Sequence, residues 1–516
     1  MHAFWQGRPS HGLALRVALS LLIAAAAQAL SIAWPWSLGF EQGATLWWLQ
    51  IAAMAVLVIA LNRSHSARQA AWSALFFTTA WLCCVFWWLF IAMHTYAGLN
   101  SVLTAIAIVA LAAALGLYYA LAGWMYATWR GQVPWMASLL FAAVWTGAEM
   151  ARGTWLTGFG WGASGYAHLS GPLAAYIPWI GAYGVTALGA WLAANLAQVR
   201  SIGVVSQALS VLVLAAGMWL SYAPPVFTQA HGTLDVTLLQ GNIPQDEKFE
   251  SGTGVPLALS WYAEQLLANR SSLVVAPETA IPLLPQQLPT EYWQALQQRF
   301  ATGEQAALIG FPLGNSREGY TNSVLGFAPQ ATELWRYDKH HLVPFGEFIP
   351  PLFKWFTQLM NIPLGDFNRG ALGQPSFDWD GQRLAANICY EDLFGEELAV
   401  RFRDTAKAPT IFVNVSNIGW FGDSTAIDQH LNISRMRALE FERPFVRATN
   451  TGATVILDHH ALVTAALPRA TRGVLHGKVT GRDGLTPFAW WASRWGLWPI
   501  WLWVVATVAW AWRRSR

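Results

Sequence analysis

The stretch RLAANICYEDLFGE, residues 383–396, decides how the second half of this chain is read. A largely apolar run, RLAANICY (383–390), carries a thiol, Cys389, near its end, and Glu391 and Asp392 follow at once. A short apolar run bounded by polar residues reads as a buried strand, which puts Cys389 where a strand gives way to a loop. Acidic neighbours raise a thiol's pKa and blunt its reactivity. Either Cys389 is an inert packed thiol, or residues elsewhere in the chain activate it.

Outward from this stretch, further short β-rich runs alternate with helical ones. Strands are expected at 235–240, 271–278, 306–312, 322–329, 383–390, 410–416, 445–450 and 454–458, and helices at 256–269, 290–302, 395–404 and 424–442. Strands mixed with helices imply a layered α/β domain around a buried sheet, with active groups gathered where strands end. Two further positions of that kind stand out. Glu278, in VVAPETAIP, leaves a very apolar strand, and burial there suits a carboxylate to general-base work. Lys339, in YDKHHLVPFGEFIP, is a cation in a loop crowded with aromatics and prolines. A thiol, a base and a cation are what acyl transfer needs: a nucleophile, a proton acceptor and positive charge for a tetrahedral oxyanion. Each has a bland alternative: a solvated turn for Glu278, a surface pair with Asp338 for Lys339, a core thiol for Cys389. His340 and His341 also allow a Cys–His dyad.

Composition sets the wider frame. Of 516 residues 55% are hydrophobic and 11% charged, with 32 tryptophans, too apolar for an ordinary soluble protein. Residues 1–234 hold nine charges: Arg8, Arg16, Glu41, Arg63, Arg68, Arg130, Glu149, Arg152 and Arg200. Apolar segments near 13–32, 44–62, 71–93, 102–128, 134–151, 172–197, 203–221 and 495–512 predict about eight membrane spans. Arg8, Arg63/Arg68, Arg130, Arg200 and the Arg513–Arg516 tail fall on one side of that arrangement. By the positive-inside rule this side is cytoplasmic, so both termini are inside and the soluble part faces the periplasm of a two-membrane bacterium. The run AAAAQALS (24–31) also allows a cleaved signal peptide, but the charge parity requires the first span. Glu149 and Arg152, three apart at a span end, read as a structural helix-face ion pair or as a functional intramembrane one. A net charge of +3 with no basic stripe argues against nucleic-acid binding. The cysteines, Cys83, Cys84 and Cys389, make neither a disulfide framework nor a metal site.

APETAIP, YDKHHLVPFGEFIP and NICYEDLFGE together resemble, in order, the Glu, Lys and Cys motifs of the nitrilase (carbon–nitrogen hydrolase) superfamily, whose fold is an αββα sandwich. HLVPFGEFIP, LLQGNIPQDEKF (238–249) and the flanking spans are similar to its membrane branch, the apolipoprotein N-acyltransferases, across essentially the whole chain. The resemblance implies a membrane domain over 1–225, a periplasmic nitrilase-like domain over 232–483, and a C-terminal span with a cytoplasmic tail over 490–516. It implies Glu278 as general base, Lys339 as oxyanion stabiliser and Cys389 as nucleophile, with Glu347 assisting. Tyr390 would supply a backbone N–H to the oxyanion, Glu391 would position, and Asn414 and Trp420 would line the pocket. Ile418-Gly419 departs from the acidic-small pair usual before that tryptophan.

The reaction so implied is ping-pong. Cys389 takes an acyl chain from a membrane phospholipid, phosphatidylethanolamine by resemblance, as a thioester. The α-amino group of the diacylglyceryl-cysteine of an apolipoprotein then accepts it. No cofactor or metal is expected, and a monomer is. The run PPLFKWFTQLMNIP (350–363), with Trp355 and Phe356, reads either as a membrane-dipping lid admitting acyl chains or as a loop on the domain's own core. Rival readings are a tethered amidase that hydrolyses its thioester, a transporter with an external domain, and a non-catalytic assembly module. The scarcity of intramembrane charge argues against the transporter, and the three intact motifs against the module.

Overall fold

The computed structural model describes residues 11–349 and 367–516. Trp355, Phe356 and the 350–363 run lie outside the described residues. A helix occupies each of the eight apolar segments: α1 (His11–Leu30), α2 (Trp47–Asn62), α3 (Ala67–Phe86), α4 (Ser101–Trp129), α5 (Pro134–Thr154), α6 (Ile177–Ala197), α7 (Val204–Tyr222) and, at the C-terminus, Trp498–Ser515. The expectation of about eight spans is met only in part. Among the described residues four stretches are long and apolar enough to cross a membrane: Ala67–Phe86, Ser101–Trp129, Pro172–Ala197 and Val204–Tyr222. A fifth counts if Pro487–Trp495 and Trp498–Ser515, bent by 82°, form one broken span. The shortfall has physical causes. The apolar helices Leu15–Leu30 and Trp47–Asn62 are short, and α5 turns Ser138, Thr146, Glu149 and Arg152 into the protein interior.

Those last two charges make no ion pair with each other, which corrects the expected helix-face pairing. Glu149 accepts from the Ser164 backbone N–H (2.9 Å), the Ser164 hydroxyl (2.5 Å), Thr186 (3.0 Å) and Trp145 (3.2 Å). Arg152 donates to Tyr119 (3.0 Å) and to the carbonyls of Phe159 and Trp161 (2.8 Å each). Both help hold the 158–164 loop against α5 and also bond neighbouring helices, because a buried charge must find partners.

Residues 228–484 form a four-layer sandwich. One sheet has the order β12-β1-β2-β3-β4-β5, with β1 Thr228–Gln240, β2 Leu273–Val275, β3 Ala306–Asn315, β4 Gly319–Phe327, β5 Trp335–Asp338 and β12 Gly473–Gly484. The other runs β11-β10-β9-β8-β7-β6, with β6 Phe377–Trp379, β7 Gln382–Ile388, β8 Ile411–Ser416, β9 Phe445–Thr449, β10 Val455–Leu457 and β11 Val463–Ala466. Strand residues alternate between layers, as a period of two requires. Leu273 and Val275 pack with Ala386, Ile388, Val413 and Val415 between the sheets. Val274 and Ile309 turn outward onto α8 (Gly254–Ala268) and α9 (Thr290–Ala301). Phe412 and Ala385 turn outward onto α10 (Gly395–Ala399) and α11 (Thr425–Phe441), with α12 (Pro487–Trp495) beyond. Each such aliphatic side chain taken fully from water contributes about 1.5–3 kcal/mol.

The second sheet's helical layer also faces the N-terminal apolar helices. Ile427, Ile433 and Met436 of α11 share one apolar core with Trp81, Tyr119 and Trp145. Helix α6 is broken at Gly181 (φ 65°), a left-handed position that favours glycine. The break leaves the Ala182 N–H without an intrahelical acceptor, and Glu440 of α11 accepts it at 2.7 Å. Packing and caps of this kind seat the sandwich on the helices.

Candidate active site

Cys389 follows β7 directly and has φ 52°, in the left-handed region. For a residue with a Cβ that costs roughly 1–2 kcal/mol, and such strain collects at functional turns. Asn414 of β8 offsets it: its amide donates to the Cys389 carbonyl (3.2 Å) and to Asn387 Oδ1 (2.6 Å). Glu278 leaves β2 in a similarly tight turn, with Thr279 at φ 45°. Gly310 of β3 makes room for it; a Cβ there would lie 2.3 Å from the Pro277 oxygen and 2.6 Å from the Thr279 nitrogen. Lys339 leaves β5, and its backbone N–H donates to Asn322 O of β4 (2.8 Å). The three expected residues thus sit where β2, β5 and β7 end.

The side chains of Lys339, Glu278 and Glu347 form one cluster. Lys339 Nζ lies 2.8 Å from Glu347 Oε1 and 3.2 Å from Glu278 Oε1. Asn322 donates to the same two oxygens, at 2.6 Å to Glu278 and 2.8 Å to Glu347. The backbone N–H of Asn417, just past β8, reaches Glu278 Oε2 (2.8 Å), and that of Val343 reaches Glu347 Oε2 (2.9 Å). Neither bland reading survives: Lys339 is 1% exposed and Glu278 8%, while Asp338 pairs with Arg336 and Ser323 instead.

A second cation completes the group. Lys248, in the loop after β1, is buried, and its Nζ donates to the Glu278 carbonyl at 3.0 Å. Burial lowers its pKa to about 8, against the charges of Glu278 and Cys389. Lys339 thus faces two carboxylates, and Lys248 adds a second lysine at the backbone of Glu278.

The electrostatics assign opposite states to acid and thiol. Burial would raise the Glu278 pKa, but Lys339, Asn322, Lys248 and the Asn417 N–H overcome it and hold the carboxyl below the usual range. Burial lowers Lys339, yet Glu278 and Glu347 more than restore it, and the ammonium is kept charged. Burial and the charge of Glu278 push the Cys389 thiol up, with Lys339 pulling only partly back. An ionised carboxylate, a charged ammonium and a neutral thiol are the groups that proton transfer to the acid and a developing oxyanion call for.

The remaining candidates divide. Glu391 stays outside the charge cluster; its carboxylate accepts from the N–H groups of Ile388 (2.7 Å), His340 (2.7 Å) and His341 (3.2 Å) and from Tyr337 (2.8 Å), tying the Lys339 loop to the Cys389 turn. Tyr390 donates its hydroxyl to the Gly158 carbonyl at 3.0 Å, so its side chain serves the contact with the N-terminal helical part. Asn414 is fully buried, and its amide N–H groups bond Asn387 and the Cys389 carbonyl. Trp420 is 41% exposed and meets Tyr96 edge-on at 5.9 Å. His341 contacts Glu397 (3.0 Å) and the Thr157 carbonyl (2.7 Å), and His340 the Gly370 carbonyl (2.8 Å), which commits these ring nitrogens away from a dyad. Lys248, Asn322 and Asn417 escaped sequence reasoning, although each had a signal: a lysine closing QDEK after a strand, and asparagines at otherwise apolar strand ends.

The comparisons with known proteins agree along the chain. Residues 33–195 match the apolipoprotein N-acyltransferase N-terminal domain, and residues 235–483 the carbon-nitrogen hydrolase family. Apolipoprotein N-acyltransferase of Verminephrobacter eiseniae is 54% identical over 96% of each chain. That of Ralstonia nicotianae is 45% identical over 86% of this chain and 85% of its own, and that of Bordetella bronchiseptica is 38% identical over 86% and 88%. With a carbon–nitrogen hydrolase sandwich joined to that N-terminal domain, the chain belongs to the apolipoprotein N-acyltransferase family.

Proposed function

We propose that this protein acylates the N-terminus of bacterial lipoproteins through a thioester on Cys389. Cys389 Sγ attacks the ester carbonyl of a membrane phospholipid, phosphatidylethanolamine by preference, as Glu278 takes the thiol proton. Lys339 and the Tyr390 N–H stabilise the oxyanion. Collapse expels the lysophospholipid alkoxide, which receives the proton back from Glu278. The free α-amino group of a diacylglyceryl-cysteine then attacks the thioester; Glu278 takes the ammonium proton and passes it to the departing thiolate, which restores carboxylate and thiol. Glu347 holds Lys339, and Trp420 borders the route of the acyl chains. Eight spans, both termini cytoplasmic, would place the sandwich at the periplasmic surface of the inner membrane, working as a monomer. Both substrates are membrane-anchored, which a site fused to membrane helices suits.

The observation that carries this reading is Lys339 shared between Glu278 and Glu347 within one buried cluster. Its test is mass spectrometry of the purified protein incubated with phosphatidylethanolamine vesicles. A hydroxylamine-labile acyl adduct on Cys389, discharged by a diacylated lipopeptide, is expected. Absence of the adduct from wild type, or its persistence in Cys389→Ala, would overturn the reading.

A further inference from the structure

Behind Cys389 lies a second buried network that the acyl-transfer chemistry does not use. His430 of α11 is fully buried, with Nε2 3.1 Å from the Cys389 carbonyl oxygen and 3.0 Å from Asp392 Oδ1. Its other nitrogen, Nδ1, is 3.1 Å from Arg447 Nη2. A guanidinium only donates, so Nδ1 must accept and the ring proton resides on Nε2, shared by the Cys389 carbonyl and Asp392. Arg447 and Ser434 in turn hold Asp392 Oδ2. The imidazole is thus fixed as a donor aimed at the backbone of the nucleophile.

The membrane domain reaches the same imidazole. The Trp161 ring stacks on His430, with centroids 5.5 Å apart and planes inclined by 29°. Trp161 also donates to Gln429, the preceding residue, at 2.8 Å, and Trp88 of the membrane domain donates to the same oxygen at 3.0 Å. Arg152 holds the Trp161 carbonyl. A continuous set of contacts therefore runs from α5 through Trp161 and His430 to the carbonyl of Cys389.

We propose that His430 is a positioning residue for the Cys389 nucleophile, holding its left-handed backbone through the carbonyl, and that Trp161 of the membrane domain sets the imidazole. The proposal rests on Cys389 being the acylated residue. The carbonyl of a strained residue is a direct handle on its φ and ψ, and Asn414 and His430 grip this one from two sides. The sandwich would then aim its thiol well only when seated on its membrane helices.

The test compares two amides that differ in reach. In His430→Gln the side-chain nitrogen extends to where Nε2 stands; in His430→Asn it stops near Nδ1. Single-turnover acylation of full-length protein in phosphatidylethanolamine vesicles should slow about a hundredfold in His430→Asn and stay within about tenfold of wild type in His430→Gln, the scale of a small misplacement of a reacting group. The lipid concentration for half-maximal rate should not change in either. Trp161→Leu should show the same rate-only loss, about tenfold. Equal rates in the two amide variants, or a loss confined to lipid affinity, would overturn the proposal. An acyl adduct that survives Cys389→Ala would instead overturn the nucleophile assignment, so the two failures are distinct.

Discussion

Two buried polar clusters in this protein are built from the same kinds of residue and do opposite things. In the membrane domain Glu149 and Arg152 are each 1% exposed, and their bonds hold a neighbouring loop and adjoining helices. In the sandwich Glu278, Glu347 and Lys339 face one another, and their other partners, Asn322, Asn417 and Lys248, come from three further segments. The first cluster separates its charges and joins each to fixed dipoles, which makes a brace. The second brings opposite charges together, with Lys339 between Glu278 and Glu347, which suits the reactive role proposed for Cys389. Burial of charge alone does not distinguish them; the partners do.

The comparison can be broken most sharply at Lys339. Lys339→Met should cut single-turnover thioester formation by about 10³-fold or more, read by mass spectrometry of Cys389. A comparable rate would remove the cation from the chemistry. Next comes Gly310→Ala: a Cβ that close to Pro277 and Thr279 must displace Glu278, and a loss of about a hundredfold in the same assay is expected. Glu149→Leu tests the brace. It strands the Ser164 N–H and the Ser164 and Thr186 hydroxyls, and should destabilise the fold by about 2–3 kcal/mol, seen as a lower thermal midpoint in detergent. Surviving protein should still acylate Cys389; loss of acylation without loss of stability would erase the distinction drawn above.

The smallest effect is pH dependence. Lys248, with its pKa lowered to about 8, carries its charge below that pH and sheds it above. The acylation rate, measured without amine acceptor, should therefore fall severalfold as pH rises through about 8. Lys248→Arg, which keeps its charge, should move that fall to higher pH. On the acid side, Glu278 stays ionised below the ordinary carboxylate range, so the acid limb should lie lower than for a solvated glutamate.

Much of this was legible in the chain. Every strand expected from an apolar run is present, because β2, β3, β7, β8 and β9 are buried on both faces and must be apolar. The strands that escaped, β5, β6, β11 and β12, lie at the edges of their sheets, where one partner suffices and polar residues are tolerated. β12, GVLHGKVTGRDG, reads as loop until β1 pairs with it. Glu278, Lys339 and Cys389 could be picked out because each terminates a run whose character is local.

What the sequence by itself determined is therefore the inventory: an apolar helical part, an alternating sandwich, and three chemically apt side chains at strand ends. Hydrophobic periodicity is a short-range property, and a linear chain displays it in full. Only the tertiary structure decided the company those side chains keep. Lys248 reaches the Glu278 backbone carbonyl, Glu391 ties two loops instead of joining the charges, and His430 meets the Cys389 carbonyl from a helix packed on the N-terminal apolar helices. Such partners lie tens to hundreds of residues apart, and hydrogen bonds and charge act over a few ångströms of space, a separation the order of residues does not encode.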